Sequence, residues 1–320
     1  MKTMDDFKVF YDKDLINTLK SLEGKRKKAV NAFWMIILGA IIATGGTAFS
    51  FGLKMPTALG FSFLIGGIAI VVMFMIKLFK LKSDVKWKFK EEVIKKMIHF
   101  IDPSLNYNPA SCIRRQEFSE SKIFIQGIDR YKGDDLVQGT IGKTAVRFSE
   151  LHAEYESRDS DGKKTHHTIF KGIFFIADFN KHFKGETIVL PDTAEKLFGR
   201  LGTWFQKMNI ARPDLVKLEN PEFEKEFAVY GNDQVEARYI LTPVLMERIM
   251  EFKKKSGKVG LSFRNSQVNI ALTVRQNLFE APFFKSMLDY ELVANYFSYL
   301  LLCTGIVEDL DLNTRIWAKE

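Results

Sequence analysis

The chain has 320 residues, with 47 Lys and Arg against 39 Asp and Glu, and its basic excess is confined to one end: residues 1–90 carry 15 basic and 6 acidic side chains, and the rest carry 32 and 33. Nucleic-acid binding needs clustered cations on the folded part, so a near-neutral carboxyl-terminal stretch excludes it as the reason for an isoelectric point near 9.2. Cys112 and Cys303 stand in no Cys-x-x-Cys frame, which removes a disulfide framework or zinc knuckle and fits a reducing cytoplasm.

Residues 5–24 place Phe7, Phe10, Leu15, Leu19 and Leu22 at helical spacing among charges, with Gly24 as a stop. Such an amphipathic helix suits either a membrane surface or packing on the carboxyl-terminal domain. Ala29 to Ile76 is then almost continuous hydrocarbon, with runs at about 30–51 and 57–76 and Lys54 as the one charge. Each run reaches the roughly 20 residues that cross a bilayer core. The link through Gly52 and Pro56 stops both helices and is too short to carry a domain across, so both ends lie on one side. Flanking Lys25, Arg26, Lys27 and Lys28 before the first run, and Lys77, Lys80, Lys82, Lys86, Lys88 and Lys90 after the second, mark that side as cytoplasmic. With Trp87 as an interfacial anchor, these residues form a basic collar expected to touch anionic lipid. Small residues Gly39, Ala43, Gly45 and Gly46 on one run and Gly60, Ser62, Gly66 and Gly67 on the other invite close helix packing. The runs hold no ionisable group, which disfavours transport, although oligomerised hairpins could still form a pore.

A stripe of Trp87, Val93, Ile94, Met97, Ile98 and Ile101 extends the second helix as a stalk until Asp102-Pro103. From Gln126 the period becomes two. Asp135 to Glu156 and Thr165 to Asn180 predict a long hairpin around Arg158 to Lys163, setting His166 opposite the region of Glu156, and Glu186 to Leu190 predicts a third strand. A helix is expected over 192–209, on Leu197, Leu201, Trp204 and Phe205. Asn220-Pro221 and Thr242-Pro243 each put a capping side chain before a proline at a helix start. Lys258 to Val274 predicts another hairpin around Arg264-Asn265-Ser266, and Asp289 to Ile306 an apolar helix too mixed to be a third span. The fold class is α+β: an amino-terminal cytoplasmic helix and basic flank over 1–28, a two-helix transmembrane hairpin over 29–80, a stalk and linker over 81–110, and a cytoplasmic domain over 111–320 with an antiparallel β-sheet and packed helices.

Four phrases, Phe170 to Phe174, Asp178 to Lys181, Leu218 to Phe227 and Asp233 to Pro243, resemble a bacterial membrane-protein family known as domain of unknown function 3137, a likeness that covers most of the chain, hairpin included. That family has no established activity to carry over. The resemblance implies an inner-membrane location and an envelope-associated protein partner, of the LemA type.

The motifs that suggest chemistry are incomplete. Gly139-Thr140-Ile141-Gly142-Lys143-Thr144 echoes a P-loop, but a Walker loop would need glycine at Val137 and a helix to follow. His152, His166, His167 and His182 share the β-rich segment without a metal-ligand spacing. Asp159, Asp161 and Gly162 lack the rest of a calcium loop. Asp233, Glu236 and Arg238, with His166, are the candidate catalytic residues: acid, base and cation could form a site, while a helix cap or a strand ion pair explains the same trio. The run Phe279, Phe283, Phe284, Tyr290, Tyr296, Phe297 and Tyr299 suits a ligand groove or a core. No cofactor and no metal is expected. The leading expectation is a membrane-anchored cytoplasmic module that binds lipid headgroups or a protein partner at the inner leaflet. An unrecognised membrane-bound enzyme, or a homo-oligomeric hairpin pore, are the alternatives.

Overall fold

The computed structural model describes residues 2–159, 162–179, 182–191 and 212–313; the helix expected over 192–209 lies outside them. Two compact units partition the chain, one of Lys2–Met97 with Phe279–Phe297 and the other of Ile98–Leu278 with Ser298–Glu320.

The first unit is helical. Helix α1 runs Met4–Gly52 and α2 runs Thr57–Ile101, α2 continuing well past its apolar run. Between them, Lys54 takes a left-handed conformation (φ 53), and the Met55 amide donates to the Ser50 carbonyl at 2.9 Å. Glycine makes the antiparallel packing possible. A Cβ on Gly67 would lie 2.5 Å from the Ala43 nitrogen and 2.6 Å from the Gly39 oxygen, and one on Gly46 would strike the Phe63 ring. Gly45 and Gly66, also expected at the contact, face open space. Hydroxyls along the apolar runs donate to carbonyls one turn back, Thr44 to Ala40 and Ser62 to Ala58 at 2.8 Å and Ser50 to Gly46 at 2.9 Å. Each hydroxyl is thereby satisfied within its own helix. Below the runs, the amphipathic stripe is buried inside the unit. Phe7 stacks on Phe297 with centroids 4.1 Å apart, Leu15, Leu19 and Leu22 are covered, and the Tyr11 hydroxyl donates to the Leu288 carbonyl at 3.1 Å.

The second unit is built on an eight-stranded antiparallel sheet. Its strands are β1 (Asn106–Asn108), β2 (Arg130–Ile141), β3 (Thr144–Arg158), β4 (Lys164–Asp178), β5 (Thr187–Pro191), β6 (Phe227–Gly231), β7 (Val259–Arg264) and β8 (Gln267–Thr273), in spatial order β1-β2-β3-β4-β8-β7-β5-β6. Helices α3 (Arg115–Glu120), α4 (Pro221–Glu226), α5 (Gln234–Ile240), α6 (Pro243–Ser256) and α7 (Tyr290–Asp309) intervene or follow, and both α2 and α7 contribute residues to each unit. The expected pairing of β3 with β4 is present, with Glu156 opposite His166. The β7–β8 hairpin turns through Asn265 and Ser266, both at positive φ, as a two-residue turn between right-twisted strands requires.

One strand differs from expectation. Asp135 to Glu156 is the end of β2, a two-residue turn and most of β3. Gly142 opens that turn at φ +62, and the Lys143 amide donates to the Asn313 side chain at 2.9 Å. A lone Gly-Lys is a weaker turn signal than Asn-Gly, so the alternation reads straight through it. The segment that echoed a P-loop is therefore strand, turn and strand.

Consecutive β4 residues Ile173, Phe174, Phe175, Ile176 and Ala177 are all buried. Neighbours on a strand face opposite ways, so this part of the sheet is covered on both faces. On one face, Phe118 of α3 packs with Phe170, Phe174 and Ile123; on the other, Phe148 stacks on Phe175. Gly172 sits where β4 begins to pair with β8, at φ +152, and a Cβ there would fall 2.0 Å from the Leu272 carbonyl oxygen. Gly172→Ala must push the strands apart, at a cost of about 1–3 kcal/mol, the range for forcing atoms into a packed core; the detergent-solubilised protein should show a lower denaturant midpoint by circular dichroism, and an unchanged midpoint would contradict this register.

Candidate functional site

The residues with catalytic potential are held apart or engaged by the fold. Asp233 caps α5, its carboxylate accepting from the Val235 and Glu236 amides at 2.9 Å, because a side-chain oxygen there satisfies amides that have no intrahelical partner. Glu236 turns away and accepts from the Lys184 amide at 3.0 Å and the Gly185 amide at 2.7 Å, clamping the loop before β5. Arg238 donates to the Lys217 carbonyl at 3.1 Å and the Gln234 side chain at 3.4 Å. The trio is close in sequence, yet each member serves a different backbone segment.

The histidines also disperse. His152 pairs with Thr168 at 3.3 Å, His167 with Ser157 at 2.8 Å while stacking on Tyr155, and His182 with Ser266 at 3.1 Å. His166 Nδ1 is buried without a hydrogen-bond partner among the described residues. Glu156, opposite it, is bonded by Lys164 at 3.0 Å, which holds the carboxyl below its usual range. Burial, and then Asp134, push the Cys112 thiol up, and burial does the same to Cys303, so neither favours the thiolate that reacts.

One cluster was not anticipated. Asp134, Asp135 and Glu150 bring carboxylate oxygens within 4.8 Å of one another, where β2 bulges against β3 and Asp135 takes φ +60. Oxygen triads of this type suit a hard divalent cation. Here Asp135 accepts from the Tyr107 hydroxyl and Glu150 from the Leu278 amide at 2.9 Å, so two of the three already serve the bulge and a neighbouring loop. The adjacent Asp134-Asp135 pair, interrupting a period-two strand, was the available signal.

The basic collar divides in two. Lys27, Lys28, Lys77, Lys80, Lys82 and Trp87 are exposed. The others engage the protein: Lys25 meets Asp84 at 2.7 Å and Lys88 meets it at 3.3 Å, while Lys86 and the buried Lys90 meet Glu280 at 2.9 and 3.1 Å. Arg26 is committed to the interior. Its guanidinium holds Glu23 at 2.7 Å and donates to the Phe283 carbonyl at 2.7 Å, and Glu23 in turn accepts from the Met287 amide at 3.0 Å. The Arg26 hydrogen bond keeps the Glu23 carboxyl below its usual range, with the Met287 amide assisting against the opposing effect of burial. Sequence spacing classed Arg26 with the lysines expected to meet lipid; the contacts across the chain separate it from them.

Residues 168–312 match the model of a family described as protein of unknown function, DUF3137. All four phrases behind the resemblance fall inside the matched residues. No curated protein matches the chain. A solved structure, that of the mycobacterial trehalose monomycolate transport factor A, TtfA, aligns over 65% of this chain and 91% of its own at 10% identity and a TM-score of 0.32, a likeness too distant to carry an argument.

Two outcomes follow from these contacts. Asp233→Ala should cost about 1 kcal/mol, the usual value of an N-cap, read as a shift in the unfolding midpoint. Glu23→Ala leaves Arg26 buried without its carboxylate and should cost about 3–5 kcal/mol. Because the Glu23 pKa is depressed in the folded protein, its stabilisation is present above the unfolded value of 4.5 and lost as pH falls through the lower folded value. The wild-type melting temperature should therefore drop more steeply than that of Glu23→Ala on acidification below about pH 4.5; parallel profiles would refute the linkage.

Proposed function

We propose that this protein is a bilayer-anchored interaction module: α1 and α2 cross the inner membrane as a hairpin, both termini stay in the cytoplasm, and the α+β unit binds a membrane or envelope-associated protein there. One observation carries the reading. Of the three helices among the described residues that are long and apolar enough to cross a membrane, the apolar windows of α1 and α2 are only 17% and 11% buried, whereas that of α7 is 56% buried. A helix turning its hydrocarbon outward needs an apolar solvent; α7 already has a protein one. Large side chains such as Ile41, Phe49, Phe61, Ile65, Ile68, Met73 and Ile76 are exposed along the hairpin, more than a water-soluble surface carries in one patch. The exposed lysines at one end of the hairpin support the orientation.

Binding is favoured over catalysis because Asp233, Glu236 and Arg238 are engaged in caps and loop clamps, and such residues position backbone rather than substrate. The partner reading is supported by the family resemblance. The test is side-chain accessibility in intact cells, in a Cys112→Ser background that leaves only the buried Cys303. A Lys54→Cys protein should react with an impermeant maleimide from the periplasm, and a Lys20→Cys protein only after permeabilisation. The opposite pattern, or release of the protein by alkaline carbonate, would overturn the assignment.

A further inference from the structure

We propose that the loop Ala281–Ser286 is a third membrane-contacting element, an aromatic wedge that seats Phe284 in the headgroup region of the same bilayer. The proposal rests on the reading of α1 and α2 as spans. The loop belongs to the helical unit and is fixed to α1 at two heights. Its Phe283 carbonyl takes the Arg26 guanidinium in the collar, while the Phe283 and Phe284 rings pack edge-on against Phe33, with centroids 6.1 and 5.7 Å away. Seven residues of helix rise separate Arg26 from Phe33, about 10 Å at 1.5 Å each. The loop therefore lies against α1 between the charged collar and the first turn of the apolar run.

Its composition suits that depth. Phe284 is 66% exposed and Trp34 58% exposed, and Phe33, which Phe284 packs on, is in edge contact with Trp34 at 5.7 Å. Lys82 lies over the Phe283 ring at 5.9 Å, and Lys285 is exposed next to Phe284. An aromatic tip flanked by lysines at the end of a span is the pattern of an interfacial anchor, apolar on one side and facing anionic headgroups on the other. The occupant is the bilayer because Phe284 packs on the part-exposed Phe33, which touches the exposed Trp34 at the start of the proposed span. Within a soluble groove the same side chain would be covered by protein; among the described residues it is not. Clamping by Arg26 and Glu23, and the cross-linking of Glu280 to Lys86 and Lys90, hold the loop against the two helices, so Phe284 is presented on a fixed base.

The test uses the full-length protein in nanodiscs of phosphatidylethanolamine and phosphatidylglycerol, in the Cys112→Ser background. Single cysteines replacing Phe284, Ile65 and Lys20 are spin-labelled, and collision with oxygen and with a water-soluble nickel chelate gives the depth of each. The label at 284 should read between the other two, within about 5–10 Å of the headgroup boundary, with Ile65→Cys in hydrocarbon and Lys20→Cys in water. A label at 284 as open to nickel as that at 20, with 65 still in hydrocarbon, would overturn the wedge and leave the anchor standing. If the label at 65 also reads water, the spanning reading itself fails and the wedge with it. A melting temperature for Phe284→Cys within about 2 °C of the parent, as expected for an exposed side chain, confirms that depth is being read on the folded protein; a larger loss would show that Phe284 is structural and count against the wedge.

Discussion

The buried pair of Glu23 and Arg26 is the contact on which the helical unit depends. Taking both charges out of water is costly, and the attraction between them repays that only when their remaining hydrogen-bonding capacity is also met. Here it is met by one distant segment: Arg26 reaches the Phe283 carbonyl and Glu23 the Met287 amide. A hydrophobic pair of the same volume could bury as much surface without choosing which backbone atoms approach. The ion pair makes that choice, because any other register of the 279–297 segment would leave a charge buried with a donor or acceptor unfilled. Its value is therefore positional more than energetic.

The same distinction sorts the collar. A lysine exposed near an anionic surface contributes roughly 1 kcal/mol to membrane association, and its loss leaves the fold intact. Lys90, 1% exposed and paired with Glu280, belongs to the other class, since Glu280 is a counter-charge to an ammonium held in the interior. Both kinds stand at one end of an apolar run, and both would be counted alike in a charge asymmetry. The positive excess of the first 90 residues is thus partly exposed and partly structural.

Much of the architecture was legible because its signals are local. Asn220 and Thr242 cap their helices through amides two or three residues away, and the turn after Arg158 settles the register that places Glu156 opposite His166. The β2–β3 turn was missed because only Gly142 announces it. Glu236 reads as part of an acidic and basic trio until its partners, Lys184 and Gly185, are seen some fifty residues upstream. The aromatic run from Phe279 to Tyr299 read as groove or core; its inner members are core, as Phe297 stacked on Phe7 shows, but Phe284 is not. Nothing in the neighbourhood of Phe284 records its contact with Phe33, about 250 positions away. Long-range pairings of this kind leave no period in the sequence, and they are what decide which aromatic residues face solvent or lipid.

On the proposed reading of α1 and α2 as spans, two apolar helices of this length already make insertion effectively irreversible, so the proposed third contact adds little to retention. What a hairpin lacks is orientation. Packed through Gly39, Ala43 and Gly67, it is a narrow pair of cylinders that a bilayer would let tilt at a cost of only fractions of a kcal/mol per ångström of mismatch. An aromatic side chain fixed to one side of that pair, at the depth where the apolar run begins, makes one rotation differ from the others, because only one brings Phe284 to the interface. Such a contact requires a loop that does not move with respect to the helices, which is the condition that the Glu23 and Arg26 pair supplies. Rigid attachment and modest affinity are the properties expected of an element that sets direction, and the hairpin supplies the affinity.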